Sequence, residues 1–416
     1  MASSGKTIRD LQSPETAPLA PTQAAVAHHR LASVDLLRGL VMVLMALDHT
    51  RDFFSNARFS PLDLMQTTTA LFFTRWITHY CAPVFVLLAG TGAYLYGAPG
   101  RSNHEVARFV FMRGLLLIVL EFTLVHFGWF FNFDYHFLLA QVIWMIGWSM
   151  VILAGMILAR VPLWALAALG IIMIAGHNLL DPVGADEFGS FRWLWIILHQ
   201  PELIDFAPGR QVLAFYSLIP WAGVMMVGYA LGIVFLLPQN QRRTWLLGLG
   251  LALMLLFVAL RWVNLYGDPQ PWREQSNPLW TVLSFINTTK YPPSLLFLLM
   301  TLGPALAALA VFDGVNAKNF LARVFVVFGR VPLFYYVLHL ILIHAVAVAF
   351  SYVRYGDASW LFGTGWMFRF ALPEDYGYEL PAVYLVWLGV VLILYPVCNW
   401  FAHLKERSRT WWLSYF

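Results

Sequence analysis

Residues 30–52 read RLASVDLLRGLVMVLMALDHTRD, in which charged residues flank an uninterrupted apolar run. This pattern predicts a helix that crosses a membrane and carries polar groups at both ends. Arg38 and His49 are eleven residues apart, so an α-helix places them about 20° apart around its axis and about 16 Å apart along it. One face of this helix is therefore expected to carry a cation near one end and an imidazole near the other.

The composition of the chain is that of a membrane protein. Of its 416 residues, 60% are hydrophobic and 12% are charged, whereas an ordinary soluble domain has about 25% charged residues. The pI is near 9.0, but the net charge is only +4, and 16 of the 26 Lys and Arg residues fall on one side of the predicted topology. Nucleic acid is therefore not expected as a partner. The expected partner is the lipid bilayer.

Apolar segments of membrane-spanning length recur along the chain and predict an all-α fold, a polytopic integral membrane bundle of about ten transmembrane helices. The segments are 34–53, 77–96, 107–127, 137–158, 162–180, 213–237, 244–263, 292–312, 331–350 and 380–401. Because an even number of spans returns the chain to its starting side, both termini are expected on the same face of the membrane.

The distribution of Lys and Arg predicts that both termini are cytoplasmic, because cytoplasmic loops carry an excess of these residues. Residues 1–29 are rich in Ala, Pro, Ser and Thr and are expected to be a disordered cytoplasmic tail. A transmembrane domain is predicted over residues 30–403, and a short cytoplasmic tail over 404–416. The external loops hold several Trp residues beside carboxylates and amides, which suit either sugar binding or interfacial anchoring.

His49 is the leading candidate for chemistry, since an imidazole can take up and return a proton near neutral pH. Asp52 lies three residues further on and can reach the same face of the helix, while Asp48 points about 100° away and shares a face with Arg51. Either carboxylate can orient the imidazole indirectly. His79 opens the next span on the same side and is a candidate second base or hydrogen-bond donor. Each of these residues can also be an ordinary interfacial polar group.

Ionisable residues also occur within later spans, where they are costly and face the interior of a bundle. Glu121 lies in the middle of the third span and His339 in the middle of the ninth. No metal site is expected, because the histidines show no HxxxH or HxH spacing and the two cysteines form no CxxC motif. No GxSxG, Walker A or dinucleotide-binding motif is present, so hydrolase, ATPase and dehydrogenase functions lack the residues that they need.

Four segments together resemble the heparan-α-glucosaminide N-acetyltransferase-like family, also known as a domain of unknown function in bacteria. The first runs from Arg30 through Asp35 and Arg38 to His49, and it is also similar to the opening helix of the broader transmembrane acyltransferase group. The chain departs from the family's lysosomal enzyme in having His49 where that enzyme has Asn. The other segments are HYCAPVFVLLAG at 79–90, QVIWMIG at 141–147 and GRVPLFYY at 329–336.

The resemblance implies that acetyl-CoA or another acyl-CoA donates an acyl group to the hydroxyl or amino group of an envelope saccharide across the membrane. His49 would then be a general base or a transient acyl carrier, and no metal would take part. Four arginines near the cytoplasmic helix ends are the candidate ligands for the anionic phosphates of CoA, namely Arg38, Arg108, Arg113 and Arg330. The resemblance also implies a location in the bacterial inner membrane. It leaves open whether the protein forms a homo-oligomer.

Two alternatives from other classes remain at this stage. In a transporter or channel, Asp48, His49, Glu121 and His339 would form a proton or solute relay. In a scaffold without catalytic activity, the external loops would bind proteins or glycans. The alignment of Arg38 with His49 favours the acyltransferase, because the helix between them is entirely apolar.

Overall fold

The computed structural model describes residues 31–315, 319–367, 369 and 371–408. Helices make up most of these residues. Arg30 and the predicted tail at 1–29 lie outside the described residues, as does most of the predicted tail at 404–416.

The α-helices follow one another with short connections through most of the chain. They are α1 (Ala32–Phe54), α2 (Thr69–Ile77), α3 (Cys81–Gly97), α4 (Asn103–Leu120), α5 (His126–Phe130), α6 (Val142–Leu158), α7 (Leu163–Gly176), α8 (Arg192–Leu198), α9 (Leu218–Leu231), α10 (Gln239–Val263), α11 (Pro278–Ile286), α12 (Leu295–Phe312), α13 (Phe320–Arg330), α14 (Pro332–Tyr355) and α15 (Leu380–Arg407). A π-helical turn, Glu121–Val125, joins α4 to α5, and 3-10 turns extend α7 over His177–Leu180 and α9 over Gly232–Leu236.

Eight helices in the described residues are long and apolar enough to span a membrane. They are Thr69–Gly97, Asn103–Phe130, Leu163–Leu180, Leu218–Leu236, Gln239–Val263, Leu295–Phe312, Pro332–Tyr355 and Leu380–Arg407. The other two of the ten predicted segments are also helical. Helix α1 has 23 residues but carries several charges, and α6 has only 17 residues.

The exposed surface of the outer helices is apolar. Side chains such as Leu255 and Trp262 on α10 and Leu385 and Leu392 on α15 are more than two-thirds exposed. Exposed leucines on such a scale are stable only against lipid or another apolar surface. Together with the eight long helices, they make this an integral membrane protein.

A small sheet qualifies the all-α prediction. Strand β1 (Phe137–Ala140) pairs in parallel with β3 (Arg210–Ala214), which also pairs antiparallel with β2 (Glu202–Ala207). The sequence predicted helix from residue 137, but the first four residues of that segment are extended. A short apolar run fits a strand or a helix equally well, and here the partner that decides it lies about 70 residues away in the chain.

Helix α1 is the centre of the bundle. It packs against α3, α12, α13, α14 and α15, and its polar residues His49, Thr50 and Arg51 are buried by these neighbours. Because protein rather than lipid surrounds the helix, its charges can be paired with groups on other helices. This position explains how a helix with five charged residues fits inside a membrane bundle.

The contact of α1 with α13 is close enough to require glycine on both helices. A Cβ atom on Gly39 would lie 1.7 Å from the carbonyl oxygen of Phe325, and one on Gly329 would lie 1.8 Å from the carbonyl oxygen of Asp35. The same contact lets Nη1 of Arg38 donate a hydrogen bond to the carbonyl oxygen of Gly329 at 3.3 Å. Small residues thus fix the depth and rotation of α1.

We predict that Gly39→Ala destabilises the protein by about 3 kcal/mol or more, because the added methyl group meets backbone that cannot rotate away. The measurement is the thermal midpoint of the purified protein in detergent. Gly155→Ala on α6 is the matched control, since a Cβ atom there meets nothing within 4 Å. Equal midpoints for the two variants would contradict the close contact.

Candidate functional site

Two histidines from distant parts of the chain meet inside the bundle. Nδ1 of His49 on α1 lies 2.7 Å from Nε2 of His339 on α14, and the two rings stack with centroids 4.9 Å apart. His339 is fully buried and His49 is 8% exposed. The pair is therefore held inside the protein, with the His49 ring nearer to accessible space.

The hydrogen-bond network assigns the protons of this pair. Nδ1 of His339 lies 3.0 Å from the carbonyl oxygen of Tyr335, and a carbonyl can only accept, so this nitrogen carries a proton. In neutral His339, Nε2 is then an acceptor, and Nδ1 of His49 donates to it. The lone pair of His49 is therefore on Nε2, the ring nitrogen that this bond does not use.

Aromatic side chains surround the His49 ring. Trp129 meets it edge-on with centroids 5.0 Å apart, and Tyr336 lies at 6.3 Å. Trp366 stacks with both Phe53 and Trp129 on the far side. The indole N–H of Trp129 and the hydroxyl of Tyr336 are buried and have no hydrogen-bond partner among the described residues. Two donors near His49 are thus available to a bound molecule.

A cavity of about 580 Å³ lies among α1, α3, α4, α6 and the start of α14. Its walls are mainly apolar, and its lining includes three arginines, Arg38, Arg101 and Arg113. Tyr336, which lies beside His49, also lines the cavity. A volume in the range of about 300–1,000 Å³ is typical of sites for small molecules and cofactors.

The helix geometry predicted from the sequence agrees with this arrangement. Arg38, Met42 and Met45 line the cavity from successive turns of α1, and His49 follows one turn after Met45 on the same stripe. The cavity therefore follows this face of α1 from Arg38 to Met45, and His49 lies one turn beyond the residues that line it.

Two of the four arginines expected to bind an anion line this cavity, and two do not. Arg38 and Arg113 are in its wall. Arg108 is exposed and absent from the lining, and Arg330 pairs with Glu406 instead. Arg101, which the sequence analysis did not select, lines the cavity and lies over the ring of Tyr96 at 4.1 Å.

Asp48 is engaged away from His49. Its carboxylate accepts hydrogen bonds from Arg75 at 2.5 Å and from the hydroxyl of Thr78 at 3.0 Å, and it lies 3.0 Å from Nη2 of Arg51. This set ties the end of α1 to α2 and to the turn that follows it. Asp48 therefore acts as a buried ionic link between helices, without a hydrogen bond to His49 within the described structure.

Asp52 and His79 also lie apart from the histidine pair. Asp52 binds Arg51 at 2.5 Å and its side chain is 36% exposed. His79 is fully buried with its ring 5.3 Å from that of Phe297, and neither ring nitrogen has a hydrogen-bond partner among the described residues. The contacts of the described residues join neither of them to His49.

Lys290 and Tyr291 lie between α11 and α12 and add charge near Asp48 and Arg75. The Lys290 ammonium is 5.1 Å from the centre of the Tyr291 ring, and the hydroxyls of Tyr291 and Tyr216 are 3.5 Å apart. Burial raises the pKa of Tyr291, but Lys290 and Arg75 outweigh it, so this pKa lies below the usual value. The His49 end of α1 thus has cations of its own, separate from the cavity arginines.

Glu121 has a structural partner as well. Its Oε2 accepts the backbone N–H of Trp144 at 2.9 Å and so caps the first turn of α6, where a carboxylate is favourable. The four residues of the relay alternative therefore do not form one connected hydrogen-bonded path among the described residues. His49 and His339 are bonded to each other, while Asp48 and Glu121 bond to other groups in the described part of the protein.

The spanning helices enclose an arginine-lined cavity of small-molecule size within the bundle of an integral membrane protein. A family model described as "Heparan-alpha-glucosaminide N-acetyltransferase, catalytic" matches residues 30–261, more than half of the chain. The chain belongs to this family, and its activity class is that of a membrane acetyltransferase. The resemblance inferred from the sequence is confirmed, although the segment at 329–336 lies beyond the matched range. No curated protein matches the chain significantly.

We predict that Asp48→Asn lowers stability by about 3–5 kcal/mol, because it leaves the buried guanidinium groups of Arg75 and Arg51 without their carboxylate. Asp52→Asn is the matched control, and its effect should be below about 1 kcal/mol, since that side chain is partly exposed. Thermal midpoints of the two purified variants test this. A stable Asp48→Asn protein would contradict the ionic link.

Proposed function

We propose that this chain transfers an acetyl group from acetyl-CoA, bound in the arginine-lined cavity, to the hydroxyl or amino group of a saccharide. The observation that carries the proposal is the cavity itself, which is lined by Arg38 at one end of α1 and by Tyr336 beside His49 at the other. A long donor with anionic phosphates and a reactive thioester needs these features in this order.

The arginines account for recognition of the donor. Arg38, Arg101 and Arg113 would bind the 3′-phosphate and diphosphate of CoA, because guanidinium groups pair well with phosphate oxygens. The apolar wall between them and His49 would hold the pantetheine arm. The roughly 16 Å of helix between Arg38 and His49 is comparable with the length of that arm.

His49 would act through the lone pair on Nε2. As a general base, it takes the proton of the acceptor O–H or N–H while the acceptor atom attacks the thioester carbonyl. The C–S bond then breaks, and the CoA thiolate leaves and is protonated by the imidazolium. As an acyl carrier, Nε2 would itself attack the carbonyl, and the C–S bond would break to release the CoA thiolate. The acceptor atom would then attack the acetylimidazole and free His49, and the acceptor's proton would pass to the thiolate. The indole N–H of Trp129 and the hydroxyl of Tyr336 are available to stabilise the oxyanion in either case.

His339 would be a positioning residue in this mechanism. By accepting the Nδ1 proton of His49, it fixes the tautomer in which Nε2 is unprotonated. This hydrogen bond would also stabilise the positive charge that His49 gains on taking up a proton. A buried group behind a catalytic histidine has this role in other acyl-transfer enzymes.

The acceptor would approach from the side of Trp129 and Trp366, since the donor occupies the other side of His49. We place both termini in the cytoplasm, so that acetyl-CoA enters from the cytoplasm and the saccharide lies beyond the membrane. The membrane would then be the bacterial inner membrane. The aromatic planes near His49 suit the apolar faces of sugar rings.

The test is acetyl transfer by the protein in nanodiscs, using labelled acetyl-CoA and crude envelope glycans. The wild-type protein should label the glycan fraction, and His49→Ala should lower kcat by about 10²- to 10⁴-fold. Intact-mass analysis for bound acetyl separates the two roles of His49. Absence of both acetyl-CoA binding and turnover in the wild-type protein would contradict the proposal and favour the relay.

For His339 we predict that Leu and Gln substitutions differ. His339→Leu should lower kcat by about tenfold to hundredfold with little change in the KM for acetyl-CoA, because the Nδ1 acceptor is lost. His339→Gln should recover part of this loss, since its amide oxygen can accept the same proton. A change of KM instead, or equal losses in two variants of equal thermal midpoint, would count against a positioning role.

For the donor site we predict that Arg113→Gln raises the KM for acetyl-CoA by about tenfold to hundredfold, the effect of losing one hydrogen bond to a charged group. The KM for S-acetylpantetheine, which lacks the nucleotide phosphates, should be unchanged. Arg108→Gln is the matched control, because Arg108 is exposed and absent from the cavity lining.

A variant that fills the cavity gives a second test of the same site. Gly92 lines the cavity and a Cβ atom there meets nothing within 4 Å, so Gly92→Trp should block acetyl-CoA while the protein still folds. Gly155→Trp on α6 places the same side chain outside the cavity. Normal donor KM in Gly92→Trp would show that CoA binds elsewhere.

A further inference from the structure

Three potential metal ligands meet at the end of α7, away from the cavity and from His49. They are His177, Asp181 and His199, and one ligand atom from each lies within 4.8 Å of the other two. Nε2 of His199 is 3.1 Å from Oδ1 of Asp181, and the two imidazole rings are 5.7 Å apart. None of the three residues lines the cavity described above.

The two histidines are buried without the partners that buried rings normally have. His177 is 1% exposed and His199 is 3% exposed. Nδ1 of His199 has no hydrogen-bond partner among the described residues, and the His177 ring has none of regular geometry, although the carbonyl group of Pro293 lies beside it. Because buried polar groups are nearly always bonded, these nitrogens point to a ligand that would occupy the cluster.

The carboxylate of the cluster is held in place by a neighbour. Nδ2 of Asn178 donates to Oδ2 of Asp181 at 2.9 Å, and Oδ1 of Asn178 accepts the backbone N–H of Leu295 at 2.9 Å. Oδ1 of Asp181 is left facing His199. A polar residue that orients a ligand carboxylate in this way is typical of metal sites.

The sequence did not predict this site, because its spacing is spread over separate elements. His177 and Asp181 are four residues apart around a 3-10 turn, whereas His199 directly follows α8. The fold closes the gap of 22 residues between the two histidines. The amino-acid sequence shows only that His177 and Asp181 are spaced by about one helical turn.

We propose that His177, Asp181 and His199 bind one Zn²⁺ ion or a similar divalent transition-metal ion, with water as a fourth ligand. Two imidazoles and one carboxylate are ligands that Zn²⁺ favours, whereas Mg²⁺ and Ca²⁺ prefer oxygen ligands alone. Tetrahedral Zn²⁺ holds its nitrogen and oxygen ligands about 3.4 Å apart, so the widest separation in the cluster needs to close by up to about 1.4 Å. The ion would clamp α8 and the β2–β3 hairpin to the end of α7.

The test is Zn²⁺ binding by the full-length protein in nanodiscs, purified with a tag that contains no histidine. After treatment with a chelator and readdition of Zn²⁺, gel filtration followed by metal analysis should find one equivalent bound. Zn²⁺ should also raise the thermal midpoint by several degrees, because it binds the folded state only. Co²⁺ in its place should give the visible absorption of a tetrahedral site, and Mg²⁺ should have no effect.

Variants assign the binding to this cluster without any assay of acetyl transfer. His177→Ala and Asp181→Asn should lose the bound Zn²⁺ ion and the rise in thermal midpoint. Because Asp181→Asn is nearly isosteric, it tests the cluster even if His177→Ala misfolds. His136→Ala is the matched control, since His136 pairs with Asp134 on the exposed surface. Zn²⁺ binding that is absent in the wild-type protein, lost in His136→Ala, or kept in both cluster variants would overturn the proposal.

Discussion

The charged residues of α1 must be satisfied inside a membrane, and this constraint shapes the rest of the bundle. An unpaired charge in hydrocarbon is costly, so α1 is enclosed by other helices rather than by lipid. Asp48 forms ion pairs with Arg75 and Arg51 at one end of the helix. At the other end, the glycine contact of α1 with α13 sets the position of Arg38. Enclosing α1 also encloses His49, where an imidazole is shielded from water and pairs with His339.

The same helix separates the tasks that the proposed reaction needs. Its Arg38 end joins two further arginines around a cavity, while its His49 end meets a histidine partner and two donors, Trp129 and Tyr336, that no described residue engages. In the proposed reaction, donor binding and proton transfer would lie on one rigid element about 16 Å apart. A catalytic arrangement on a packed helix is more precise than one on loops. The family match covers this helix and most of the cavity wall.

Much of this could be predicted from the sequence because it depends on local periodicity. The spanning helices and the alignment of Arg38 with His49 follow from the apolar runs and the helical repeat, and the family follows from local motifs. The partner of His49 could not be predicted, because His339 is 290 residues away. Strand β1 depends on a distant partner in the same way, and so does the cluster at His177. The role of Asp48 was hidden because Arg75 and Thr78, which bind it, lie on other elements.

In the proposed mechanism, the cavity along α1 delivers the thioester of acetyl-CoA to His49. The most direct measurement is an experimental structure of the protein in nanodiscs with a non-hydrolysable acetyl-CoA analogue. We expect phosphate density at Arg38 and Arg113, and the acetyl carbonyl within hydrogen-bonding distance of Tyr336 or Trp129, facing Nε2 of His49. Analogue bound at another surface, or bound in the cavity with its acetyl group directed away from His49, would contradict it.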